Sequence, residues 1–265
     1  MKRPTIQLLG YLVVLALASW GVASLLTPWL PYPFFKILRR AATVLAALTL
    51  VPFLTRIQHR RLHDLGLAVS SAFWTFLAQG IGVGTLLFGA LLSALWALGV
   101  VTWHVPTAQG WLQLAAFVPA AFAIAVLEEL FFRGVVLQSL VADVGAGWAV
   151  GLSSLLYAVL HFIKYLARPL SVLPELIGLA LLGILLASAY LRTRSLALPI
   201  GVHMSVAYLA KVDRQFVDFV GREPRWFFGT DRWLTGVLGW GMLGLAWLAI
   251  GWLTRSTRLH GRSMS

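Results

Sequence analysis

The chain has 265 residues, of which 60% are hydrophobic and 11% charged, with a formal net charge of +12. A soluble domain carries roughly 25% charged residues, so this composition excludes a water-facing globular surface. No Asp, Glu, Lys or Arg occurs between Asp64 and Glu128; a membrane span needs about 20 apolar residues, and that gap alone can cross a bilayer twice.

The positive charge does not point to nucleic acid, because it is not gathered in one patch. Lys2 and Arg3, Lys36, Arg39 and Arg40, Arg56, Arg60 and Arg61, Arg192 and Arg194, and Arg255, Arg258 and Arg262 stand at the ends of apolar runs. Loops flanking spans have this look beside anionic lipid head groups. Of the twelve Trp, Trp29, Trp103, Trp111, Trp226 and Trp233 lie near run ends, as interfacial belts require. With no Cys in the chain, disulfides and thiol catalysis are excluded.

Taken in chain order, the first apolar run, Ile6 to Leu26, follows Met1–Arg3. It exceeds the roughly 7–15 residues of a signal-peptide core and reads as a retained signal-anchor helix. Residues 32–40 are placed at the interface, and 41–55 forms a short second span that Pro52 leaves tilted or incomplete. The run 69–100 carries Gly80, Gly82 and Gly84, which permit a kink or close helix contact. Further spans are predicted over 111–138, 147–166, 173–191, 195–211 and 233–253. Residues 212–232 form the longest polar stretch. The expected architecture is all-α: one polytopic membrane domain over 1–265, a bundle of about eight transmembrane helices. An even span count behind a basic N-terminus places both termini in the cytoplasm, with the loop at Arg56–Arg61 and the Arg192–Arg194 turn.

A charge inside a span costs about 2.5–3.5 kcal/mol on insertion scales, so Glu128 and Glu129, deep in an apolar run, need a reason. Successive helical residues point about 100° apart. Arg133 follows Glu129 by four residues, the favoured order for an ion pair on one face. Glu129 is then the neutralised carboxylate, and Glu128 is free to act as a base. His161, with Tyr157 one turn earlier, and His203 lie in two other apolar runs. Lys164 and Arg168 either reach toward head groups or bind a substrate carboxylate. The remaining histidines lie at loops or span ends.

One free Glu and two His on three helices admit two chemistries. Glu128 activates a water shared with His161, while His203 stabilises an oxyanion. Alternatively, Glu128, His161 and His203 ligate zinc. No His-Glu-x-x-His pair occurs on one helix, so no cofactor is expected and zinc stands as the alternative.

The order Glu128-Glu129-Leu-Phe-Phe-Arg133, then Tyr157-Ala-Val-Leu-His161, then His203 after Leu191–Pro199, resembles the CAAX-protease and bacteriocin-processing (CPBP) family of membrane endopeptidases, over about residues 110–211. The resemblance implies a helical bundle around a membrane-embedded polar chamber and peptide-bond hydrolysis near the membrane. Glu128 would activate water, His161 would share it, and His203 would stand in the oxyanion site. Glu129, Arg133 and Tyr157 would support them. Two positions depart from the family pattern: Tyr157 replaces a usual Phe, and Ala207 replaces the Asn of His-x-x-x-Asn. Losing one oxyanion donor typically costs about 100–1000-fold in rate; Ser205 faces elsewhere, and Tyr208 is the nearer substitute.

The implied partners are membrane lipids and a membrane-associated peptide or protein: a leader, a C-terminal sorting segment or a CAAX-type tail. The Ala-, Leu- and Arg-rich composition suggests a bacterial inner membrane. Two other functions fit the same residues, a proton-coupled transporter and a non-catalytic binding or immunity protein of the same fold.

Overall fold

The structure, a computed structural model, describes residues 4–162 and 172–255. Lys164 and Arg168 lie outside the described residues. Helices fill the places of the predicted apolar runs: α1 (Pro4–Leu26), α2 (Phe34–Pro52), α3 (Ser71–Ala97), α4 (Ala108–Glu129), α5 (Gln138–Val144), α6 (Ala146–Phe162), α7 (Leu173–Thr193) and α8 (Ala197–Val212), with α10 (Val237–Leu253) following a short α9 (Arg225–Phe228). Among the described residues, five helical stretches are long and apolar enough to cross a membrane: Pro4–Leu26, Phe34–Ile57, Ser71–Ala97, Ala108–Val144 and Leu173–Thr193. The helices α8 and α10 have 16 and 17 residues. At 1.5 Å per residue these two are each about 25 Å long, short of a hydrocarbon core of about 30 Å. The bundle is all-α and polytopic.

Two local expectations change and one is narrowed. Residues 34–40 are not a separate interfacial segment but the first turns of α2, which runs on through Pro52 into a π-helical turn, Phe53–Ile57. The helix α3 continues unbroken through its glycines, so of the two roles expected for them, kink or close contact, Gly80 and Gly84 take the second. A Cβ on Gly80 would stand 2.3 Å from the Leu198 carbonyl oxygen, and one on Gly201 would stand 2.4 Å from that of Leu77. Only hydrogen fits there, so α3 and α8 cross backbone to backbone. Finally, the run predicted over 111–138 is interrupted: directly after Glu129, residues Leu130–Leu137 form a π-helix before α5 resumes the α-helical turn.

Helix starts follow from local chemistry. Ser70 caps α3 by accepting from the Phe73 N–H at 3.3 Å, and Thr107 caps α4 by accepting from the Gly110 N–H at 3.1 Å. The polar stretch folds into a cap on the bundle. Its strand β2 (Val217–Phe219) pairs antiparallel with β1 (Val101–Trp103), Thr102 opposite Asp218. Val100, Val101 and Val217 bury against Leu91 and Leu95 of α3. An ion pair between Arg232 and Glu175 ties this cap to the first turn of α7.

Candidate active site

Glu129 is the last residue of α4 and is fully buried, whereas the Glu128 side chain, pointing about 100° away, is 30% exposed. Arg133 lies in the π-helical turn and donates from Nη1 to Glu129 Oε1 at 2.8 Å. Its Nη2 donates to the Gly183 carbonyl of α7 at 3.2 Å. Gly183 is bare because α6 presses on it: an added Cβ would stand 2.8 Å from Ser154 Cβ. The guanidinium also lies over the Tyr157 ring, 4.9 Å from its centroid. Buried charge is tolerable where it is paired, and Arg133 is paired with Glu129, bonded to Gly183 and stacked on Tyr157.

His203 enters from α8, held in place by the glycine crossing two residues earlier. Its Nδ1 stands 2.7 Å from Glu129 Oε1. An ionised carboxylate only accepts, so Nδ1 carries the hydrogen and Nε2 is turned away from Glu129, 3.6 Å from Glu128 Oε2. His161, at the end of α6, is set by the same logic. Its Nδ1 stands 2.9 Å from the Tyr157 backbone carbonyl, which also only accepts, leaving Nε2 3.5 Å from Glu128 Oε2. Two imidazoles from two helices thus present Nε2 to one oxygen of a carboxylate on a third. That oxygen is buried and has no hydrogen-bond partner among the described residues; both nitrogens stand just beyond the usual N–H···O range of about 2.7–3.2 Å.

Tyr157 fills the space between. It is 2% exposed, and its ring lies 4.4 Å from that of His161, 6.1 Å edge-on from that of His203 and 5.0 Å from that of Phe132. The structure therefore brings together all six side chains singled out in the sequence: Glu128, Glu129, Arg133, Tyr157, His161 and His203. It does not bring in Tyr208, whose hydroxyl donates to the Leu114 carbonyl at 3.1 Å, and Ser205 is likewise spent on the Ile81 and Gly201 carbonyls.

The contact between His203 and Glu129 was not predicted. One signal for it was present: two carboxylates and one guanidinium leave a negative charge over in an apolar bundle, which calls for a second cationic group. Among the described residues, no group of three or more His, Asp or Glu is arranged to hold a metal ion.

Residues 109–209 match the family model described as type II CAAX prenyl endopeptidase, Rce1-like. No curated protein and no solved structure matches the chain. The matched stretch contains all six clustered side chains and spans α4 to α8.

Proposed function

From the premise that residues 109–209 form an Rce1-like segment of the CPBP family, we propose that this chain is a membrane-embedded endopeptidase that hydrolyses a peptide bond with water activated by Glu128. The carrying observation is the convergence of His161 Nε2 and His203 Nε2 on Glu128 Oε2, at 3.5 and 3.6 Å.

In this reading a water bound at Glu128 Oε2 also donates to the bare Nε2 of His161. Its oxygen attacks the carbonyl carbon, its proton passes to Glu128, and the carbonyl electron pair moves onto oxygen. His203 faces that oxygen. With Nδ1–H donated to Glu129, its Nε2 can donate only as an imidazolium; with that charge Glu128, Glu129, Arg133 and His203 sum to zero, which an apolar surrounding favours. When the tetrahedral intermediate collapses, the C–N bond breaks and the amine leaves with the proton held by Glu128. Holding base, water and carbonyl in one place supplies much of the rate, since proximity and orientation are worth about 7–11 kcal/mol. No step is routed through zinc, and no cofactor is required.

The substrate class is a membrane-associated peptide: a leader, a C-terminal sorting segment or a CAAX-type tail. The setting is a multi-pass protein of a cell membrane, taken to be a bacterial inner membrane. The test is cleavage of a panel of quenched-fluorescent peptides of these three kinds in proteoliposomes. Wild type should cleave at least one, and Glu128→Gln, with folding intact, should lose about 100-fold or more, the range of a general base. Undiminished cleavage by Glu128→Gln overturns the mechanism. Binding without cleavage by wild type would favour a non-catalytic member of the fold.

A further inference from the structure

On the reading just given, the oxyanion that forms beside His203 needs more than one donor, because a single hydrogen bond leaves most of its charge unsolvated in an apolar site. On α8, position 207, one turn after His203, is Ala and offers nothing. The hydroxyls of Ser205 and Tyr208 are spent on backbone carbonyls. Both Arg133 donors that make hydrogen bonds face Glu129 and Gly183.

One hydroxyl in the cluster is uncommitted. Tyr157 is buried among His161, His203, Phe132 and Arg133, and its phenol makes no hydrogen bond among the described residues. A Tyr in the interior usually finds a partner for its hydroxyl; here the ring lies against two imidazoles and the hydroxyl is left uncommitted beside them, which needs explaining. The phenol also lies within electrostatic reach of Glu128, Glu129 and Arg133. A Phe of the same shape would fill this space without leaving a polar atom unpaired.

We propose that Tyr157 is a catalytic residue of this site, its hydroxyl donating a hydrogen bond to the carbonyl oxygen of the scissile bond as that oxygen becomes an oxyanion, beside His203. The proton stays with the phenol: no bond to it breaks, and the donation strengthens as charge develops. The ring's contacts with Phe132 and Arg133 keep it in place before substrate arrives, so its orientation costs nothing at the moment of reaction.

The experiment uses the full-length protein in proteoliposomes and the peptide from the panel that wild type cleaves and Glu128→Gln does not. Tyr157→Phe should lower kcat about 100-fold, the cost of one oxyanion donor, with KM and melting temperature unchanged. Adding Ala207→Asn to Tyr157→Phe should restore at least part of kcat, because an amide one turn beyond His203 supplies a donor on the same helix face. Full kcat in Tyr157→Phe, with Glu128→Gln inactive, overturns this proposal and leaves the endopeptidase reading standing. A loss of kcat that tracks a lowered melting temperature, and that Ala207→Asn does not relieve, also overturns it, because Tyr157 would then be packing alone. If wild type cleaves no peptide, both readings fall together.

Discussion

Glu129 and His203 lie 74 residues apart in the chain, and Glu129 Oε1 and His203 Nδ1 stand 2.7 Å apart in the bundle. The same oxygen also accepts from Arg133 at 2.8 Å, so one buried carboxylate fixes both a guanidinium and an imidazole. The two glutamates therefore have unlike duties. In the proposed mechanism Glu128, 30% exposed, meets the substrate, and Glu129 sets which His203 nitrogen faces it.

That division predicts unlike mutant phenotypes. Glu129→Gln strands Arg133 and frees His203 in an apolar interior, and breaking a buried pair typically costs about 3–5 kcal/mol. Its melting temperature and yield should fall sharply, whereas Glu128→Gln should melt like wild type and lose only activity. Thermal unfolding of the two variants in the same detergent checks this. Equal stability losses would contradict the assignment.

Metal dependence is decided by analysis of purified, active protein. Hydrolysis through Glu128 predicts that activity survives chelation and dialysis, with zinc well below one equivalent per chain. Near-stoichiometric zinc, with activity lost to chelator and regained only on adding metal, would make Glu128, His161 and His203 the first ligands to test.

The crossing of α3 and α8 predicts a contrast between neighbouring glycines. Gly201→Ala drives a methyl to 2.4 Å from the Leu77 carbonyl oxygen, a backbone atom that cannot swing aside. Overpacking of this kind costs about 1–3 kcal/mol. A shift of about 1 Å at His203, two residues on, can lower turnover 100-fold. Gly82→Ala, with nothing within 4 Å of the added methyl, should be neutral or stabilising by up to about 1 kcal/mol through helix propensity. Melting curves and cleavage rates of both variants test the pair.

A pH effect is expected beyond the end of α8. Burial pushes the Asp213 carboxyl up to about 6, against an ordinary value of 3.8, and the Arg214 N–H at 2.7 Å only partly offsets it. A raised carboxyl means that the folded state holds the proton more tightly than the unfolded chain does. The stability this contributes is full below pH 3.8 and is lost as pH rises through about 6. Asp213→Asn should therefore flatten the decline, with a melting advantage over wild type that is larger at pH 7.5 than at pH 4.5. An advantage independent of pH would refute the burial account.

Much of this molecule is legible in its sequence, and the limits have physical causes. Apolar runs bounded by Arg and Trp locate the helices because lipid imposes one solvent on every outward face. Glu128, Glu129, Arg133, His161 and His203 stand out because polar groups are rare in such runs. Backbone-level features leave no such trace. Residues 32–40 read as interface, yet Phe34 onward folds as the start of α2. The strands β1 and β2 have three residues each, too few for a period-2 pattern to emerge, and they pair across more than a hundred residues. The π-helical turn after Glu129 has no composition of its own. The tie between Glu129 and His203 depends on how α4 and α8 meet, which neither segment encodes alone.

That π-helical turn has a consequence for how the chain can change. Each hydrogen-bonded loop within Leu130–Leu137 encloses one residue more than an α-helical loop would, so the rod that begins at Ala108 is out of phase with itself by the time it reaches Val144. Its first part answers to α8, and its last part answers to α1 and α6; no single straight stripe could serve both sets of neighbours. A residue deleted here shortens the rod by only about 1.5 Å but turns one part against the other by about 100°. Length is then nearly conserved while bearing is lost: the carboxylates would keep their depth in the bundle and face the wrong helix.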